Sequence, residues 1–266
     1  GNGGLGRLAA CYIESLATLE IPATGYGIRY EFGIFDQAIQ NGWQLEISDQ
    51  WLKGGWPWEL VSFDKQCRVG FGGRCESWRD SEGREHWRWI PAEEVIGIPH
   101  DVLIAGYRVS SCSRLRLWRA VPTANFDLEA FNNGHFQAAE HQKVRSESLS
   151  KVLYPNDSNE AGRRMRLMQQ YFFVSCSLQD MIRNLEKRGI PLAEFAEQWA
   201  IQLNDTHPAI SVAELMRLLL DVHGFGWDEA WKVTCRSISY TNHTLDRKST
   251  RLNSSHANIS YAVFCL

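Results

Sequence analysis

The chain has 266 residues, with 28 Lys+Arg against 31 Asp+Glu, a net charge of −3, 44% hydrophobic residues and 11 Trp among 12% aromatics. That balance describes one large or two smaller globular domains. It gives no electrostatic support for a nucleic-acid partner and carries too many aromatics for disorder. No apolar run reaches the roughly 18 residues that a membrane-spanning helix needs.

In chain order, the opening Gly1-Asn2-Gly3-Gly4 feeds a helix. Leu5, Leu8, Ala9, Tyr12, Ile13, Leu16 and Leu19 recur at helical spacing and predict one broad buried face. Residues 25–35, rich in aromatic and β-branched side chains, predict strand and turn. Residues 58–120 alternate in short runs broken by Gly and Pro. Within them 69–71, 86–90, 102–104 and 114–119 predict strands of a mostly antiparallel region. A helix is expected over 134–149, a break at Tyr154-Pro155-Asn156-Asp157, and a long helix over 160–187. Ser158 or Asn159 would cap its start and Gly189 would end it.

The clearest unit follows. A short strand at 199–203 leads to the polar turn Asn204–Pro208, then an amphipathic helix at 209–222 and a further turn or two at 227–234. A second strand at 237–240 ends in Thr241-Asn242-His243-Thr244. This is a β-α-β unit of the doubly wound class. Ligands of such sheets sit beyond the carboxyl ends of the strands, where both polar turns fall.

Seven scattered cysteines show no Cys-x-x-Cys pair and no metal-ligand spacing, so reduced thiols and no metal site are expected. The five Asn-x-Ser/Thr sequons, at Asn156, Asn204, Asn242, Asn253 and Asn258, read as chance matches. Gly1 to Gly6 formally satisfies G-x-G-x-x-G. The acid a dinucleotide would need falls at Glu20, a helix end rather than the end of a second strand, which argues against a nicotinamide cofactor. Two readings of the loop stand side by side: a cradle that turns a helix N-terminus towards an anion, or a tight turn packed closely on its helix. Asn204, Asp205, Thr206 and His207 offer the amide, carboxylate, hydroxyl and imidazole that read a polyol. Asp205 or Thr206 can equally cap the helix near Pro208. His243 after the second strand is similarly open. No catalytic triad and no pair of catalytic carboxylates emerges.

Seven ordered blocks carry a resemblance. They are Gly1 to Cys11 (GNGGLGRLAAC), Gly25 to Gly33 (GYGIRYEFG), Asp49 to Leu52 with Pro57 to Glu59, Leu115 to Trp118, Val152 to Asp157, Ile201 to Ala209 (IQLNDTHPA) and Tyr240 to Thr244. Together they resemble the α-glucan phosphorylase family over about residues 1–245. The resemblance implies α/β architecture: a partial Rossmann-like N-terminal domain of a two-domain, GT-B-like glycosyltransferase, with an antiparallel β-rich region. It implies phosphorolysis of α-1,4-glucan by inorganic phosphate to give glucose 1-phosphate. It also implies pyridoxal phosphate as cofactor, a homodimer for the full-length protein, and a cytoplasmic location without membrane or nucleic-acid partners.

By the same resemblance, Gly3 and Gly4 direct the helix towards the phosphate region and Leu5 lines the glucose subsite. Asn156 and Asp157 belong to a gating loop. Asp205 and His207 flank the sugar's anomeric face, and His243 meets the glucosyl 6-hydroxyl through its main-chain carbonyl. The Schiff-base lysine belongs to a C-terminal domain that these blocks do not include, so the fragment alone is expected to be inactive, with no catalytic set complete. A non-catalytic glucan-binding module is the alternative. Arg183-Asn184 stands where some members carry an arginine pair for nucleotide activation, which puts that regulation in doubt. The domain is expected to be incomplete at both ends. Residues 246–266, with three basic residues against one acidic, depart from the family pattern and are expected to be an artefactual, disordered tail; they leave residues 1–245 at −5.

Overall fold

The computed structural model describes residues 4–83, 85–123, 132, 143–153 and 158–243. Gly3, Asn156, Asp157, most of the helix expected over 134–149 and the tail 246–266 lie outside the described residues. In chain order the elements are α1 (Leu5–Thr18), β1 (Thr24–Ile28), β2 (Asp36–Gln40), β3 (Trp43–Ile47), β4 (Glu59–Val61), β5 (Cys67–Phe71), β6 (Arg74–Arg79), β7 (Glu85–Ile90), β8 (Glu93–Ala105), β9 (Cys112–Pro122), α2 (Glu160–Arg188), α3 (Phe195–Gln198), β10 (Ile201–Asn204), α4 (Ser211–Arg217), α5 (Trp227–Ser237) and β11 (Ile238–Thr241). They form two compact units, residues 1–72 with 91–176 and residues 73–90 with 177–266.

The first unit is built on a five-stranded sheet of order β1-β9-β8-β4, with β5 also on β8. β1 runs parallel to β9, and the other pairs are antiparallel. β8 explains the arrangement. One of its edges pairs with β9 throughout. The other is shared, β5 taking 93–97 and β4 taking 100–102. Pro99 falls in the gap between them. A strand residue directs its N–H and C=O to the same edge, and the Pro99 carbonyl accepts from Ser62 N–H on the β4 side at 3.2 Å. The amide hydrogen that proline lacks is therefore missing only where no strand pairs, which is how a central strand tolerates it.

The core beneath this sheet holds Trp118, Ala120, Val69, Cys67, Leu149, Phe172 and Cys176, all essentially without solvent access. Burying one such large apolar side chain stabilises by about 1.5–3 kcal/mol. Gly97 of β8 makes this closeness possible: a Cβ there would collide with Cys176 Sγ and lie 3.3 Å from the Phe172 ring. The hairpin β2–β3 is mostly solvent-exposed, Ile39 and Trp43 by more than 70%.

α1 departs from its expected broad buried face. Only Ala17 is fully buried; Leu5, Ile13 and Leu16 are half-buried, and Leu8 and Tyr12 are 41% and 47% exposed. The helical period is as expected, but the described residues do not cover the whole apolar stripe.

α2 begins and ends as its sequence dictates. Asn159 Oδ1 accepts the Gly162 N–H at 2.8 Å, so Asn159 rather than Ser158 caps it. At the other end Gly189 takes φ +67°, and Ile190 N–H and Gly189 N–H reach the carbonyls of Leu185 and Glu186, each at 3.0 Å. That is a Schellman closure, and the left-handed residue at its centre is best filled by glycine.

In the second unit, β10 and β11 pair in parallel, Ile201 opposite Ile238 through Asn204 opposite Thr241. α4 runs into a π-helical turn over Leu218–Val222, and α5 delivers the chain to β11. This is the expected β-α-β unit, packed around Leu203, Leu215, Leu219, Ala230, Val233, Leu185 and Phe195. The hairpin β6–β7, unforeseen as a pair in the sequence, belongs to the same unit. The Arg217 guanidinium lies over the Trp89 ring of β7, 5.4 Å from its centre.

Candidate functional site

The first cluster is the entry to α1. Gly4 is the N-cap residue, with φ −89° and ψ −12°. It makes no side-chain cap, the first turn holds no acid, and Arg7 stands exposed beside it. The helix N-terminus thus keeps its positive dipole end, with no carboxylate to offset it. Among the described residues, a Cβ built at Gly4 or at Gly6 meets nothing within 4 Å, and φ at Gly4 is negative, so no packing contact of the described residues calls for glycine at these two positions. Leu5 is half-buried at the first helical position. An uncapped, glycine-lined helix start suits an anion such as a phosphate group.

The second cluster lies at the carboxyl ends of β10 and β11. The parallel ladder is extended by Asp205 N–H, which donates to the Thr241 carbonyl at 2.8 Å. Gln202 Nε2 donates to Thr241 Oγ1 at 2.7 Å. Asn204 Oδ1 and His243 Nε2 are 2.6 Å apart. Asp205 is 5% exposed and takes φ +66°, a left-handed conformation that an Asp adopts at some cost. Its Oδ1 accepts from Thr206 N–H at 2.6 Å.

The expected cap is thereby corrected. Neither Asp205 nor Thr206 caps a helix at Pro208. Residues 207–210 form turns, α4 starts at Ser211, and its N-cap position is Ile210 with no side-chain cap. The Asp205 side chain closes its own turn instead. His207 is half-buried in that turn. The second unit therefore brings Asp205, His207 and His243 to neighbouring turns of one strand pair, as the sequence led us to expect. Gly4 and Leu5 belong to the first unit.

A third cluster was not singled out by sequence reasoning. Arg29, just after β1, makes a two-point pair with Glu59 of β4, Nε to Oε2 at 2.6 Å and Nη2 to Oε1 at 3.0 Å. His100 of β8 places Nδ1 2.8 Å from Glu59 Oε1, within ion-pair range but off the line of a good hydrogen bond. Burial pushes the His100 pKa down, against the pull of Glu59, and Arg29 and Arg119 add to the lowering. Burial works to raise Glu59, but the Arg29 guanidinium and the His100 ring beside it outweigh that and hold the carboxyl below its ordinary value. Next to it, Asp101 takes both Arg116 nitrogens at 2.7 Å. These side chains neutralise one another inside the first unit and pin the three-residue strand β4 to its sheet. The available signal was Arg29 and Glu59 sitting inside two of the recognised blocks. Nothing in the sequence says that the two blocks meet.

Among the described residues, no helix is long and apolar enough to cross a membrane. Among the described residues, Cys11, Cys67, Cys75, Cys112, Cys176 and Cys235 are free thiols.

The chain matches the family model described as carbohydrate phosphorylase over residues 1–250. It is 55% identical over 245 residues to the glycogen phosphorylase of Synechocystis sp., 46% over 248 residues to that of Saccharomyces cerevisiae, and 44% over 253 residues to the brain form of Homo sapiens. Each match covers 92% of this chain and 29%, 27% and 29% of those relatives respectively, so the chain spans under a third of their length. The blocks that carried the resemblance, the strand pair that holds two of them and a family match over nearly the whole chain agree: this chain belongs to the carbohydrate phosphorylase family.

Proposed function

We propose that this chain is part of an α-1,4-glucan phosphorylase that releases glucose 1-phosphate from glycogen or maltodextrin with inorganic phosphate. The observation that carries the reading is the strand pair β10–β11, whose carboxyl-end turns bring Asp205, His207 and His243 to neighbouring positions, with Asp205 N–H bonded to the Thr241 carbonyl and the His243 ring to Asn204. Sugar recognition needs fixed donors and acceptors of this kind. The uncapped start of α1 supports the phosphate half of the reaction. The names of the relatives, glycogen and α-1,4 glucan phosphorylases, support the substrate class.

Within this reading the β-α-β unit is part of a Rossmann-like, GT-B-type domain. Gly3 and Gly4 line the phosphate region, Leu5 the glucose subsite, and Asn156 and Asp157 the gating loop. Pyridoxal phosphate would supply proton transfer through its own phosphate group. The fit on this chain is the anion-ready backbone at Gly4, where, among the described residues, a Cβ would meet nothing within 4 Å. Asp205 and His207 then orient the sugar beside its anomeric carbon, and the His243 main chain holds the 6-hydroxyl. The full-length protein acts as a cytoplasmic homodimer in this reading, without nucleic-acid or membrane partners.

The test has two arms. The 266-residue chain alone is expected to form no glucose 1-phosphate from glycogen and phosphate. A chimera carrying its 245 family-matching residues in place of those of the Synechocystis enzyme is expected to form it. An inactive but folded chimera overturns the reading. Firm co-sedimentation of the isolated chain with glycogen, together with an inactive chimera, favours a non-catalytic glucan-binding module.

A further inference from the structure

Asn204 and Thr241 are the last residues of β10 and β11 and stand opposite one another in the parallel register. The chain therefore leaves both strands in the same direction at the same level. Thr241 is held twice, at its carbonyl by Asp205 N–H and at its hydroxyl by Gln202. His243, two residues further on, is exposed and has passed beyond the last rung of the ladder. Its side chain returns to the first strand, Nε2 meeting Asn204 Oδ1 at 2.6 Å.

We infer that Asn204 is a positioning residue for the carboxyl-end site: its side-chain oxygen accepts the Nε2–H of His243 and ties the turn after β11 to the turn after β10. The tether itself rests on geometry; its consequence for turnover rests on the phosphorolysis reading. An amide oxygen only accepts, so the imidazole donates from Nε2. If the His243 main chain contacts a sugar hydroxyl, that backbone must hold its place between turnovers. A side-chain anchor two residues past the ladder supplies that restraint where strand pairing has ended.

The experiment joins a spectroscopic and a kinetic readout. Ring-nitrogen NMR on the 266-residue chain, assigned by loss of the signal in His243→Asn, follows the Nε2 proton of His243. The wild type is expected to show a hydrogen-bonded Nε2 proton that Asn204→Ala loses to exchange with water. Asn204→Asp, which keeps an acceptor, is expected to retain it. A ring proton unchanged in Asn204→Ala overturns the tether. In the chimera, Asn204→Ala is expected to lower kcat/KM about 10-fold, and Asn204→Asp to recover most of that loss. Kinetics within twofold of wild type in Asn204→Ala overturn the positioning role even where the tether is real. A chimera inactive before any substitution overturns the phosphorolysis reading, and the ring spectra still decide the tether separately.

Discussion

Replacing Glu59 with Ala tests what holds β4 on its sheet. The wild-type carboxylate takes two hydrogen bonds from Arg29, and the two side chains are only 10% and 13% exposed. Alanine leaves the guanidinium largely out of water and without this partner. Removing one member of a buried pair costs about 3–5 kcal/mol. Slight residual exposure places the expectation near the lower end, about 3 kcal/mol. A typical domain is stable by only about 5–15 kcal/mol, so the loss is readily seen in urea unfolding followed by circular dichroism. The decisive comparison is the double variant Arg29→Met, Glu59→Leu. It removes both charges and replaces them with apolar groups, and should fall within about 1 kcal/mol of wild type. With the single variants Arg29→Met and Glu59→Leu closing the cycle, the coupling between the two positions should be about 2 kcal/mol or more. A loss under about 1 kcal/mol in Glu59→Ala, or additivity across the cycle, would refute the view that this pair is a mutually dependent anchor.

Three further outcomes follow from the same structure. Acidification should weaken the first unit in two steps. His100 and Glu59 both have lowered folded-state pKa values, so the unfolded chain binds more protons, and stability from each is complete above its ordinary value, 6.5 or 4.5, and lost as pH falls through the folded value. His100→Gln should flatten the first step in pH-dependent urea midpoints and shrink the second without abolishing it, because Arg29 also lowers Glu59. Gly97→Ala should cost about 1–3 kcal/mol, because a methyl group there collides with Cys176 Sγ in a filled core; an unchanged urea midpoint would contradict that packing. Asn159→Ala should cost about 1 kcal/mol by removing the α2 cap, with Asn159→Ser recovering most of it.

What the sequence made legible was local. The strands β5 and β9 announce themselves by alternation, because one face of each lies on the core, whereas β8 was legible only at 102–104, its middle being buried without alternation. The ends of α2 were legible because Asn159 and Gly189 act within a few residues of themselves. β2 and β3 were missed for the opposite reason. Both faces of that hairpin are largely exposed, so no burial pattern is written into Asp36–Ile47. β6 is exposed at every position and leaves as little trace. The start of α4 was misplaced because Pro208 looks like a first helical residue, while Asp205 had already committed its side chain to its own turn. For the site, the two polar turns were identifiable by composition and their adjacency by the β-α-β pattern. The Asn204–His243 contact spans 39 residues and depends on a register that only the paired strands reveal.

The same dependence separates the two polar clusters by what each is able to do. Around Glu59, positive and negative groups are buried against one another, so their hydrogen-bonding capacity is spent on holding β4. A ligand arriving there would have to break pairs whose separation is costly. Around Asn204 the backbone is fixed by the ladder and by Asp205 N–H, while the tethered Asn204 and His243 side chains stand in solvent. Restraint without enclosure is what a hydroxyl-rich ligand requires, since it gains hydrogen bonds to groups that are already oriented and loses little ordering entropy in doing so. Burial commits the first cluster to holding the fold, while the exposure of Asn204 and His243 leaves the second open to a ligand.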